Sequence, residues 1–143
     1  MKRELLCLLL TGVPAIPARA ETLAGPVSAA VERVVDGDTI AVRARIWLGQ
    51  DIHVLVRVRG IDAPELRARC AEEKRLAQIA ARHVAEAVSE GMVTLSHIEG
   101  DKYHGRVLAD VLLTNGRDLA GLMLASGSAR PYAGAARQPW CVG

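Results

Sequence analysis

The chain has 143 residues, of which half are hydrophobic and about a quarter are charged, with a formal net charge of +2. This length suits one domain of ordinary size with a core of its own. Phenylalanine is absent, so that core must be built from Leu, Val, Ile and Ala.

Residues 1–20 have the pattern of a secretory signal peptide. Lys2 and Arg3 give a positive start, residues 5–10 an apolar centre, and residues 18–20 (Ala-Arg-Ala) a cleavage site with small residues. The apolar run is too short to span a bilayer, and no later stretch is long and apolar enough to do so. A buried N-terminal strand or helix is the alternative. We expect a secreted or periplasmic protein whose mature chain begins at Glu21.

Loss of the signal peptide changes the charge balance. It removes three of the 18 basic residues and one of the 16 acidic residues, which leaves 15 of each. A formally neutral mature chain argues against a broad basic surface for nucleic acid. Binding of phosphate would therefore depend on local arginines and on a bound cation.

Two cysteines, Cys70 and Cys141, remain after the signal peptide has taken Cys7 with it. An even number in an oxidising compartment predicts one disulfide bond. The spacing typical of zinc ligands is absent, which argues against a zinc site.

The predicted elements follow a short, flexible lead-in at 21–26. Apolar alternation and turn signals predict strands at 27–35, 39–48, 52–59, 93–98 and 106–113. In the second strand Ile40, Val42, Ala44 and Ile46 are expected to share one buried face.

Two helices complete the pattern. Apolar residues recur at helical spacing from Leu76 to Val88, and Gly91 ends that helix. Asp118 is an N-cap candidate for a second helix to about Ser126, and residues 128–143 have no clear period. Three strands, a helix, two strands and a helix predict an α+β domain over 27–143. Its expected architecture is a five-stranded OB-fold-like β-barrel with two helices packed against it.

The chemistry-bearing stretch is 56–65, VRVRGIDAPE. Gly60 breaks a strand, and Pro64 then stiffens the turn that holds Asp62 and Glu65. Arg57 precedes Asp62 by five residues. Acids that can hold a hard cation, beside an arginine that can bind phosphate, suggest phosphodiester chemistry.

Residues 36–39, Asp-Gly-Asp-Thr, have two interpretations. They form either a hairpin turn with solvated acids or a turn that directs Asp38 onto a metal ion. Asp62 and Glu65 carry the same ambiguity. The two motifs together, each at a strand end beside a glycine, are more specific than either alone.

Three motifs follow one another along the chain: VVDGDTI at 34–40, VRVRGIDAPE at 56–65 and DKYHGRVLA at 101–109. Together they resemble the staphylococcal nuclease (thermonuclease) family over residues 27–132. The remaining tail, 133–143, is short, so we expect the last helix of larger family members to be missing.

The resemblance implies a Ca²⁺ site. Asp38 and Asp62 correspond to direct carboxylate ligands, and the main-chain carbonyl of Ala63 to another ligand. The family usually has Thr at this last position, but a carbonyl ligand tolerates Ala. Calcium prefers oxygen ligands and tolerates irregular geometry.

The resemblance also implies catalytic and substrate-binding roles. Glu65 corresponds to the general base, and Arg57 and Arg106 to the pair that holds the scissile phosphate. Tyr103 resembles a residue that lies along the nucleotide. Tyr132 lies near the position of a base-packing tyrosine.

Three other polar residues have structural interpretations. His104 is inserted before Gly105 relative to the family's usual tract, which bears on the reach of Arg106. His104 itself is interpreted as a solvated loop residue, Arg59 as a surface strand residue, and His83 as a packed or boundary residue of the first helix.

The expected function is that of a secreted, monomeric Ca²⁺-dependent endonuclease that hydrolyses DNA and RNA to 3′-phosphate products. Two alternatives remain open. One is a non-catalytic nucleic-acid-binding module in the periplasm, built on the same barrel. The other is a periplasmic structural domain with an idle cation site, which the neutral mature charge favours.

Overall fold

The structure is a computed structural model that describes residues 20–141. All of the predicted signal peptide except Ala20 lies outside the described residues. In chain order the elements are β1 (Thr22–Leu23), β2 (Val27–Asp36), β3 (Thr39–Trp47), β4 (Gln50–Val58), β5 (Ile61–Asp62), α1 (Ala71–Ala87), β6 (Met92–Gly100), β7 (Arg106–Leu113), α2 (Leu119–Ala125) and β8 (Arg130–Pro131).

Five of the strands close into a barrel. β2, β3 and β4 form an antiparallel meander. β7 pairs parallel to β4 and antiparallel to β6, and β6 pairs back to β2. Closure leaves the backbone groups of these strands paired on both sides. With two helices, this confirms the predicted α+β, five-stranded, OB-fold-like barrel.

Alternate residues of the strands fill the barrel. Ile40 and Val42 of β3 are fully buried, whereas Arg43 and Arg45 face solvent. The predicted alternation is wrong at Ile46, which is 49% exposed. It lies in the β3–β4 hairpin, whose tip reaches past the packed interior and leaves Trp47 exposed as well.

Helix α1 begins earlier than its apolar pattern indicated. It starts at Ala71, and the Cys70 sulfur accepts a hydrogen bond from the Glu73 N–H at 3.4 Å. A carboxylate therefore lies on the face of the helix that packs on the barrel. The buried residues of that face are Glu73, Ala77, Ala80 and Val84.

The second helix follows the sequence prediction closely. Asp118 Oδ2 accepts a hydrogen bond from Gly121 N–H at 2.8 Å, which confirms the predicted N-cap. Gly127, just past the helix, has a φ of 70°, a conformation that glycine adopts without strain. Within residues 20–141 neither helix has the length and apolar character needed to cross a membrane.

The two ends of the described chain are more ordered than the sequence suggested. The lead-in at 21–26 was predicted to be flexible, but Thr22 and Leu23 pair with β6, and Ala24 O accepts a hydrogen bond from His97 N–H at 2.8 Å. In the tail, β8 pairs with β5, which sets Arg130 opposite Asp62. Backbone pairing thus fixes residues 22–23 and 130–131, and a side-chain period cannot reveal it.

Candidate active site

A cleft of about 500 Å³ opens where β3 begins and β4 ends. It collects residues that are far apart in the sequence. The predicted site residues that line it are Asp38, Arg57, Asp62, Glu65, Tyr103, Arg106 and Tyr132.

Strand register sets Asp38 beside Arg57. Thr39 is the partner of Arg57 across the β3–β4 pair, and Val58 N–H donates to Asp38 O at 2.8 Å. The Arg57 Nη1 atom lies 3.6 Å from Asp38 Oδ2. The barrel therefore holds an acid and a guanidinium side by side.

Gly37 allows the turn that carries Asp38 to pack closely on the helix. A Cβ atom at this position would lie 2.6 Å from the Ala80 Cβ and 2.9 Å from the Ala63 Cβ. Neither distance is compatible with a side chain. The Asp-Gly-Asp turn thus requires glycine for contact with α1 and with the Asp62–Ala63 segment.

Asp62 is the most enclosed acid of the predicted site, with a side chain only 3% exposed. Its Oδ2 atom accepts hydrogen bonds from Trp140 Nε1 at 2.9 Å and from Arg130 Nη2 at 3.2 Å. Its Oδ1 atom accepts from Arg137 Nε at 2.9 Å and lies 3.9 Å from Arg57 Nη2. Burial of this charge is compensated by these donors.

Arg137 enters the acid cluster from the tail. Its Nη2 atom donates to Ala63 O and to Glu73 Oε1, both at 3.0 Å, and its Nη1 atom lies 3.4 Å from Glu65 Oε1. Partial burial lowers the pKa of Arg137, but its bonds and charge contacts with these acids and with Asp62 outweigh this, so its pKa lies above the usual value. Arg137 is fully charged in the cleft.

Two further acids, Glu73 and Asp36, accept hydrogen bonds from the backbone beside the cleft. Glu73 Oε1 accepts a hydrogen bond from Glu65 N–H at 3.1 Å, and Asp36 Oδ1 accepts from Leu66 N–H at 2.9 Å. Burial raises the pKa of Asp36, and the nearby charges of Asp38 and Glu65 raise it further. Both acids thus fix the backbone at Glu65 and Leu66.

Arg106 reaches the same cleft despite the inserted His104. Its Nε atom pairs with Asp101 Oδ2, and its guanidinium carbon lies 4.5 Å from the centre of the Tyr103 ring. On the other side of the cleft the Arg57 guanidinium carbon lies 5.3 Å from the centre of the Tyr132 ring. Each predicted phosphate-binding arginine therefore has an aromatic neighbour.

Cys70 and Cys141 lie at bonded distance, with an S–S length of 2.05 Å, as the cysteine count predicted. Their sulfur atoms and the Glu73 carboxylate form a compact group. Sulfur atoms bonded to each other offer no thiolate to a metal ion, so the group links the tail to the start of α1.

Arg59, His83 and His104 were predicted to lie outside the site, and the first two make structural contacts. Arg59 donates to His97 O at 2.5 Å and pairs with Glu99 at 3.1 Å, on the outer wall of the barrel. His83 Nδ1 lies 2.5 Å from Ser128 Oγ. His104 is exposed.

Sequence reasoning missed Glu73, Arg130, Arg137 and Trp140. Glu73 carried a signal, since it lies on the same helical face as Ala77, Ala80 and Val84. Arg137 carried another through the predicted disulfide. It lies four positions before Cys141, which keeps it within about 14 Å of that cysteine.

The donor set around Asp62 fits a hard divalent cation. Of the ligand residues that the family resemblance implies, Asp38 and Asp62 line the cleft, and Ala63 contacts Asp38 through its N–H and Arg137 through its carbonyl. The Arg137 guanidinium already binds two of these oxygens, Asp62 Oδ1 and Ala63 O. Oxygen ligands of this kind suit Ca²⁺.

A comparison with models of protein families shows the family to which the chain belongs. Residues 55–139, more than half of the chain, match the family model described as Staphylococcal nuclease homologue. The chain belongs to this family. The match confirms the family seen in the sequence motifs and indicates a nuclease-type domain, in a family whose members are typically metal-dependent and act on nucleic acids. A search of curated protein sequences gives no significant match.

The matched segment starts after the Asp-Gly-Asp turn, so Asp38 lies outside it. The structure nevertheless places Asp38 against that segment. Ala63 N–H donates to Asp38 Oδ2 at 3.0 Å. The nuclease-homologue segment and the first hairpin thus share one cleft.

Proposed function

We propose that the protein is a secreted, monomeric Ca²⁺-dependent endonuclease that hydrolyses DNA and RNA to products with 3′-phosphate ends. One observation carries the proposal. In a chain of this family, the two arginines and three carboxylates that the motifs predict, from different strands and loops, line the same cleft.

The arginines suit the phosphodiester. Arg57 and Arg106, with side chains 16% and 23% exposed, would bind the scissile phosphate through forked N–H donors. Such forks meet the charge of a five-coordinate phosphorus better than a lysine does. Tyr103 and Tyr132 offer ring faces on which bases can stack.

The acids suit water activation. Glu65 has a half-exposed side chain and would accept the proton of the attacking water, which requires hydrogen-bond reach of that water. Asp38, Asp62 and the Ala63 carbonyl would hold the ion. When bound, Ca²⁺ would screen the phosphate and orient the water.

Cleavage with controlled metal tests the proposal. Purified protein comprising residues 21–143 is incubated with plasmid DNA or with RNA, in Ca²⁺ or in excess chelator. We expect cleavage of both substrates in Ca²⁺ and none in chelator. Product 3′ ends should block polymerase extension until a phosphatase removes the phosphate. Full cleavage in chelator would contradict the metal requirement.

A periplasmic nucleic-acid-binding module is the second candidate. It is favoured by the engagement of both Asp62 oxygens by Arg130, Arg137 and Trp140. Filter binding in the same samples distinguishes the two, since a module of this kind would retain intact DNA in Ca²⁺ and in chelator alike.

Export is a separate part of the proposal, supported by the signal pattern of residues 1–20. Mass spectrometry of the protein from the exported fraction should give a chain that begins at Glu21. A soluble exported chain that retains Met1 would refute the predicted cleavage.

A further inference from the structure

Arg137 binds two of the oxygens that the proposed cation would need. Its guanidinium is bonded to Asp62 Oδ1 at 2.9 Å and to Ala63 O at 3.0 Å, and it also lies 3.4 Å from Oε1 of the proposed general base, Glu65. Building on the proposed function, we infer that Arg137 is an internal counter-cation that competes with the divalent ion and thereby sets the cation affinity of the site.

The cluster of acids around Asp62 needs a positive charge, and the Arg137 side chain provides one. The side chains of Asp62 and Glu73 are 3% and 7% exposed, and Glu65 lies beside them. Buried carboxylates this close together need compensating positive charge. Arg137 supplies it through one forked group, which keeps the cluster assembled when no ion is bound.

Competition follows from charge and from shared ligands. A guanidinium and a divalent cation cannot use the same lone pairs at once, and they repel each other at these distances. The ion therefore binds only the fraction of molecules in which Arg137 has moved away. If Arg137 holds the oxygens in about nine molecules of ten, the apparent dissociation constant is about ten-fold weaker.

The segment that carries Arg137 is irregular but is anchored at both ends, so Arg137 can leave the acids and remain close to them. The Arg137 side chain is 34% exposed, and residues 132–139 form neither helix nor strand. Pairing of β8 with β5 holds one end of this segment, and the bond between Cys141 and Cys70 holds the other. Such tethering gives Arg137 a high effective concentration at the site.

Arg130 differs from Arg137 in a way that provides a matched control. It also binds Asp62, but through Oδ2, and it contacts the carbonyls of Gln138 and Pro139 and the Trp140 ring, whose centre lies 4.0 Å from its guanidinium carbon. Removal of Arg130 takes one positive charge from Asp62 and leaves the Arg137 contacts to Ala63 and Glu65 in place. Arg43, on the outer face of β3, offers the same charge change far from the cleft.

Calorimetric titration of the oxidised 21–143 chain with CaCl₂ tests the inference without any cleavage assay. We expect Arg137→Gln to bind Ca²⁺ at least about ten-fold more tightly than the wild type. Arg137→Lys should fall between the two, because an ammonium keeps the charge but not the fork. Arg43→Gln should match the wild type, and Arg130→Gln should gain clearly less than Arg137→Gln.

Trp140 gives a second signal. Its indole N–H donates to Asp62 Oδ2 at 2.9 Å, so its fluorescence should respond to an ion at Asp62. The chain has two tryptophans, and Trp47 is 72% exposed on the hairpin, so Trp47→Phe leaves Trp140 as the sole reporter. In this background Arg137→Gln should shift the Ca²⁺ midpoint to lower concentration by the calorimetric factor.

Each outcome has a distinct meaning. Equal or weaker binding by Arg137→Gln, with measurable binding by the wild type, overturns the inference and leaves the proposed metal site standing. An equal gain in Arg130→Gln also overturns it, since general charge would then explain the effect. No binding by the wild type or any variant removes the proposed calcium site itself. A purely structural Arg137 would lower the melting temperature without tightening Ca²⁺ binding.

Discussion

The barrel edge and the tail meet at Asp62, but they are built in different ways. At the barrel edge, formed by the adjoining ends of β3, β4 and β5, strand register and backbone hydrogen bonds place Asp38 and Arg57. In the tail, residues 132–141, side-chain hydrogen bonds and one disulfide place Arg137 and Trp140. Arg57 lies on β4 and Asp38 directly precedes β3, so both have the fixed geometry that the proposed chemistry would require. The group that must yield lies on irregular chain, which is free to move at low cost.

Of the changes considered, loss of the Cys70–Cys141 disulfide should have the largest effect on stability, because the bond holds the tail to the rest of the domain. The bond spans a sequence separation of 71 residues, and closing a loop of this size stabilises by about 4 kcal/mol in the chain-entropy model. We expect Cys141→Ser to lower the free energy of unfolding by up to this amount in urea titrations. Cys70→Ser with Cys141→Ser should match the single variant. Two titratable thiols in native, air-purified protein would rule out the bond.

Substitution of Asp38 and of Glu65 should distinguish a residue that binds the ion from a residue that activates water. Asp38→Asn removes a charged ligand and should weaken Ca²⁺ binding at least about ten-fold. Glu65→Gln should bind Ca²⁺ almost as the wild type does and lose on the order of 10²-fold or more in kcat, since it removes the general base. Calorimetry and single-turnover cleavage measure the two effects. Equal losses of affinity would refute the division.

Gly37→Ala should disturb the barrel edge by overpacking. The new methyl group would meet the side chains of Ala80 and Ala63, at a cost of about 2 kcal/mol in stability. Gly100→Ala is the matched control, because a Cβ there has open space and its φ is not in the left-handed region. Thermal unfolding of both proteins makes the comparison. Similar melting temperatures would show that the turn does not depend on this contact.

Arg59→Gln should have the smallest effect. Arg59 lies on the outer wall and pairs with Glu99 and with the His97 carbonyl. Partly exposed pairs of this type contribute about 1 kcal/mol or less. We expect a slightly lower melting temperature and unchanged cleavage. A loss of cleavage comparable to that of Arg57→Ala would extend the phosphate site onto the outer wall.

The barrel edge was predictable because its signals are local. Period-two alternation predicted the strands, and acids near Gly37 and Gly60 at strand ends marked Asp38 and Asp62 as candidates, whose ligand roles were implied by the family resemblance. The structure brings these together because Val58 pairs with the backbone of Asp38. The exposed tip of the β3–β4 hairpin was predicted wrongly, since alternation continues at Ile46 beyond the packed interior, and the two-residue strand β5 was not predicted.

The tail was not predictable from its own pattern. The contacts of Asp62 with Arg130, Arg137 and Trp140 join residues that are 68 to 78 positions apart. A segment without helical or strand period gives no direction for its side chains. The cysteine pair alone carried the information that this segment returns to the start of α1.

The most direct test of the nuclease mechanism replaces the two cleft arginines. Single-turnover cleavage of DNA in saturating Ca²⁺ is compared among the wild type, Arg57→Ala, Arg106→Ala and the double variant, with Arg59→Gln as the charge-matched control. Each single variant should lose on the order of 10²- to 10³-fold in rate, because a transition-state donor is gone. The double variant should fall to background, while Arg59→Gln cleaves normally. Undiminished cleavage by a folded double variant would contradict the assignment of this cleft as the site of phosphodiester hydrolysis.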